Sequence, residues 1–115
     1  MSISAWTELD DKSVKVARGL ALDAVETAGH GHPGTAMALA PVAHLLFNKF
    51  MNHSPENPEW FARDRFILSC GHASMLLYSQ LFLNGYGLEI EDLMNFRKMN
   101  SLTPGQPEFH HTKGV

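Results

Sequence analysis

The stretch from Asp64 to Ser74, D-R-F-I-L-S-C-G-H-A-S, does most to limit what this chain can fold into. Phe66, Ile67 and Leu68 form a short unbroken apolar run, the pattern expected of a strand covered on both faces. Ser69-Cys70-Gly71 ends the run, and Ala73 to Leu83 reads as a helix. His72 is thereby expected outside the carboxyl end of a strand, where ligands bind in open α/β sheets. A helix start offers unpaired N–H groups and the positive end of the dipole, which suits an anion and favours a neutral imidazole. The bland alternative is a histidine that merely caps the turn or sits satisfied in the core.

Before this stretch the chain alternates helix and turn signals. Residues 1–9 read as a loose arm, and Thr7-x-x-Asp10 followed by Asp11 supplies capping and dipole-matched chemistry for a helix start. Val14, Ala17, Leu20, Ala21, Ala24, Val25 and Ala28 make a helical stripe whose small residues predict close packing, and Gly29 stops it. Gly29-His30-Gly31-His32-Pro33-Gly34 is then a tight turn that lets backbone approach a ligand, stiffened by Pro33. Three readings stay open for it: a solvated turn, a site for a phosphorylated or polyhydroxylated ligand, or a His-x-His metal site. No Cys or carboxylate lies nearby to complete a zinc shell.

Thr35 to Met51 resumes helical spacing, with a break or kink near Pro41, and its Met and aromatic residues read as core. Residues 52–63 hold two prolines and form a loop in which His53 is expected exposed and inert. The helix through Met75, Tyr78 and Leu81 should end at Asn84-Gly85, and Ile90 to Phe96 should be a short amphipathic helix. Thr103-Pro104-Gly105-Gln106-Pro107 is a second stiff turn, and His110-His111 is expected to face solvent.

With a net charge of −3 and no Lys/Arg run, the sequence gives no reason to expect nucleic acid or an anionic membrane as partner. Cys70 is the single cysteine, so no intrachain disulfide can form, which fits a reducing compartment. Residues 1–11 lack a basic start and an apolar core, so they do not read as a signal peptide. Ala36 to Phe47 is too short to span a bilayer. The expectation is a cytoplasmic protein.

Four segments in order, L-A-L-D-A-V-E, G-H-P-G-T-A-M, D-R-F-I-L-S-C-G-H-A-S-M-L-L-Y and T-P-G-Q-P-E-F with H-T-K-G-V, closely resemble the N-terminus of transketolases. The resemblance spans roughly residues 8 to 115. It implies an α/β fold, the front part of a thiamine-diphosphate-binding domain with a parallel sheet flanked by helices, mostly helical here with one clear strand. It implies that residues 1–115 are an incomplete N-terminal part of that domain. It also implies transfer of a two-carbon ketol unit from a ketose phosphate to an aldose phosphate, with thiamine diphosphate supplying the carbanion chemistry.

By the same resemblance, His32 lines the sugar channel near the cofactor, as a catalytic and substrate-binding residue, and His72 contacts thiamine diphosphate. Gln106 stands where the family has a donor-binding histidine. Glutamine still donates a hydrogen bond but cannot titrate or carry a proton. The ligands of Mg2+ and the glutamate that activates the cofactor are expected outside residues 1–115, the glutamate across a homodimer interface. The partners implied are sugar phosphates and the remainder of the transketolase chain or a complementary subunit, and the 115-residue chain alone is expected to lack activity and to fold poorly. The alternatives are a non-catalytic fragment, or another thiamine enzyme such as a phosphoketolase. T-P-G-x-P-E argues against a deoxyxylulose-phosphate synthase.

Overall fold

A computed structural model describes residues 3–115. Its first element, α1 (Glu8–Ala28), begins where Asp10 accepts hydrogen bonds from the Thr7 amide at 2.7 Å and the Thr7 hydroxyl at 3.1 Å. It ends at Gly29, whose φ of 80° closes the helix in the left-handed conformation that glycine adopts freely. Ala17, Ala21 and Ala24 are all buried, so the small-residue stripe does bring α1 close to its neighbours.

Two short helices follow, α2 (Pro33–Ala38) and α3 (Ala40–Leu45), separated at Leu39. The break falls just before Ala40-Pro41, where the proline ring disfavours continued helix. A π-turn, Leu46–Phe50, extends α3 and is closed by Met51 N–H donating to the Leu46 carbonyl at 2.8 Å. A 3-10 turn, Gly71–Ala73, leads into α4 (Ser74–Leu83), and α5 (Ile90–Met94) is the last helix. Helix α4 is the centre of the molecule. All of Ser74 through Leu81 is buried, and α1, α2 and α3 pack around it.

Three sequence expectations need correction. No strand forms among the described residues. Phe66 and Leu68 turn onto the core while Ile67 is 85% exposed, so the residues alternate as in a strand, but a strand needs a neighbour to complete its ladder. His53 is not inert: its Nε2 donates to the Phe47 carbonyl, so its Nδ1 accepts from the Tyr86 hydroxyl, with the two rings stacked at 5.8 Å. Nor are residues 4–6 of the arm loose, residues 1 and 2 lying outside the described residues. Lys49 Nζ reaches Ser4 Oγ at 3.0 Å and the Ala5 carbonyl at 3.2 Å, and the Trp6 indole donates to Asp11 at 2.8 Å.

The arm closes over a buried polar group that pattern alone does not reveal. His44 Nε2 donates to Asp10 at 2.8 Å, and Asn48 donates to His44 Nδ1 at 3.1 Å, so both ring nitrogens are satisfied. Lys49 Nζ lies 3.2 Å from Asp10. His44 first, then the Thr7 amide, hold the Asp10 carboxyl well below its usual range. Its proton thus binds more readily in the unfolded chain, where the ordinary value is 3.8. The stability it contributes is present above that pH and lost as pH falls below it. Melting curves taken from pH 6 down to pH 3 should show a steeper loss for the native protein than for Asp10→Asn.

Candidate functional site

His32 and His72 come together. His32 is the residue before α2, with Pro33 fixing the first position of that helix, and His72 is the middle residue of the 3-10 turn before α4. The two turns abut, so the imidazole centroids lie 5.0 Å apart with ring planes at 79°. Both residues are solvent-exposed. Packing does not require them, since the core lies beneath, around Ala36, Ala73 and Met75.

Gln106 shares a cleft with His72. Its side chain lies over Gly71, with Cδ and Oε1 3.6 Å from where a Cβ on that glycine would stand. The loop that carries it is tied down by hydroxyls. Ser74 Oγ donates to the Gly105 carbonyl at 2.8 Å, Tyr78 to the Pro104 carbonyl at 2.7 Å, and Thr103 to the Asp92 carbonyl at 2.7 Å. Sequence reading missed these three because spacing shows which face a residue occupies, not the partner it meets.

His72 and Gln106 line a cleft of about 1370 Å³ whose floor includes Phe47, Phe66 and Leu77. His32 is not part of its wall and reaches it only through His72. The cleft exceeds the usual span of small-ligand pockets, roughly 300–1,000 Å³. His30, His110 and His111 are exposed, and His111 donates to the Ser101 carbonyl at 2.8 Å. No group of three or more His, Cys, Asp or Glu among the described residues could hold a metal ion. No helix among them is long and apolar enough to cross a membrane.

Chemically, the arrangement offers the His72 imidazole and the Gln106 carboxamide on one cleft, with the His32 ring set against His72. No atom lies within 4 Å of where a side chain on Gly34 would begin, so the G-H-P-G turn leaves room for a ligand to approach the backbone. That donor set fits a polyoxygenated, phosphorylated molecule.

Residues 9–115 match the family model described as the transketolase, thiamine diphosphate binding domain, which sets the class of this protein as a thiamine diphosphate-binding domain. A transketolase of Mycobacterium leprae is 56% identical over 110 residues, covering 96% of this chain and 16% of that protein. One of Bacillus subtilis is 58% identical over 107 residues, covering 93% and 16%. A crystal structure of the Pichia stipitis transketolase in complex with sedoheptulose 7-phosphate superposes with a TM-score of 0.91 at 48% identity, covering 95% of this chain and 16% of that one. The chain belongs to the transketolase family, and it spans about 16% of the length of the relatives it matches.

Proposed function

We propose that this chain supplies the N-terminal part of a transketolase site that moves a two-carbon ketol unit from a ketose phosphate to an aldose phosphate. The observation that carries this reading is the facing of His32 and His72 at 5.0 Å from turns 40 positions apart in the sequence. The sugar phosphate bound to the Pichia stipitis relative supports the substrate class. Thiamine diphosphate, when bound, supplies the carbanion chemistry.

His72 would hold that cofactor by hydrogen bonding, and His32 would orient the sugar hydroxyls beside it. Imidazole donors suit the task, because they would hold ligand oxygens by hydrogen bonds set in place before the reaction. Gln106 would donate to the donor sugar from the opposite side. Ligands for Mg2+ would come from outside residues 1–115. The apolar floor of the cleft suits cover by the remainder of the polypeptide or a complementary subunit, in a cytoplasmic homodimer.

The reading is tested by exchanging residues 9–115 of this chain into the Bacillus subtilis relative. Thiamine-dependent transfer from a ketose phosphate to an aldose phosphate should persist, and its absence in a folded chimera would refute the assignment. In the same protein, Gln106→His is expected to raise kcat/KM for the donor ketose by about tenfold, since an imidazole can carry a proton that a carboxamide cannot. The gain should appear with a new titration in the kcat/KM–pH profile.

A further inference from the structure

The Thr103–Pro107 loop has few means of holding itself in place. Pro104 and Pro107 have no N–H to donate, so its backbone can be fixed mainly through its carbonyls. The two carbonyls immediately before Gln106 are those that α4 takes, the Gly105 oxygen by Ser74 and the Pro104 oxygen by Tyr78. Tyr78 and Ser74 are both fully buried, whereas Gln106 is exposed. Arg97 closes the third side, with Nη1 3.1 Å from where a Cβ on Gly105 would stand.

We infer that Tyr78, seconded by Ser74, is a positioning residue that sets the reach of Gln106 toward the donor sugar. This rests on the proposed role of Gln106. One rigid helix carries the hydroxyls that hold the loop, and its preceding turn carries His72. Movement of α4 therefore carries both sides of the site together, and the gap between His72 and Gln106 stays fixed. Burial pushes the Tyr78 phenol far above its ordinary value, with the Glu108 carboxylate acting in the same direction. The hydroxyl thus remains a donor throughout the neutral range.

The test is a double-mutant cycle in the chimera that carries residues 9–115 in the Bacillus subtilis relative, loaded with thiamine diphosphate. Tyr78→Phe keeps the ring and removes only the hydroxyl. It is expected to raise KM for the donor ketose about fivefold, the factor equivalent to one ordinary hydrogen bond, with kcat little changed. In a Gln106→Ala background the same change should alter donor KM less than twofold. Hydrogen exchange on the protein without cofactor should show faster exchange in residues 101–109 for Tyr78→Phe. Ser74→Ala should move both readouts in the same direction by less, and serves should Tyr78→Phe not fold. An equal Tyr78→Phe penalty in both backgrounds overturns the inference, as does an unchanged donor KM alongside a clear Gln106→Ala effect. A Gln106→Ala protein with native donor kinetics overturns the role of Gln106 first, and this inference with it.

Discussion

His72→Ala should lower kcat/KM for ketol transfer by about 10²- to 10³-fold, the usual cost of deleting a preorganised donor at a reacting centre. Its melting temperature should stay close to native, because His72 is exposed and Ala73 beneath it carries the packing. The loss should fall on the apparent affinity for thiamine diphosphate, so titrating the cofactor recovers part of the rate. His32→Ala makes the complementary case. Its ring faces His72 from the α2 turn, and its loss should fall on donor KM and kcat with cofactor affinity preserved. Fluorescence titration with thiamine diphosphate separates the two, and native affinity in His72→Ala would reject its assignment as a cofactor contact.

Gly114→Val is expected to destabilise the fold by about 3 kcal/mol or more, summing backbone strain and overpacking. Gly114 has φ +95°, a region that β-branched residues avoid. A Cβ there would stand 2.6 Å from Tyr86 Cδ1 and 2.8 Å from Leu81 Cδ2. Neither neighbour can retreat. Leu81 is fully buried on α4, and Tyr86 is held by its hydroxyl on His53 and by the stacked ring. Gly19→Ala is the control. Gly19 lies mid-helix in α1 with open space around it, so the change should stabilise by about 0.5–1 kcal/mol. Denaturant midpoints of the two variants should move in opposite directions.

Much of the site was legible in the sequence because its parts are local devices. Thr7-x-x-Asp10 starts α1, Gly29 ends it, and each of His32 and His72 precedes its own helix. The convergence of these two histidines followed from their similarity to one family, since the local pattern alone left His72 open between a ligand position at a strand end and a cap or core residue. What was not legible depends on distant partners. Phe66-Ile67-Leu68 has a strand's composition, but three residues cannot report whether a neighbouring strand exists to pair with them. His53 sits in a proline-rich loop whose only local signal is exposure, and its partner Tyr86 lies 33 positions away. His44 likewise meets Asp10 across 34 positions, where periodicity carries no information.

The burial of α4 on every side bears on any attempt to re-engineer this protein. Side chains in its interior fill the core on one flank and brace the Gln106 loop on another. A substitution chosen there for heat tolerance would also shift the Pro104 and Gly105 carbonyls on which the Gln106 loop rests. Variation is better confined to exposed positions such as Gly34 and Gln106, where shape can change without disturbing the shaft on which both halves of the site are mounted.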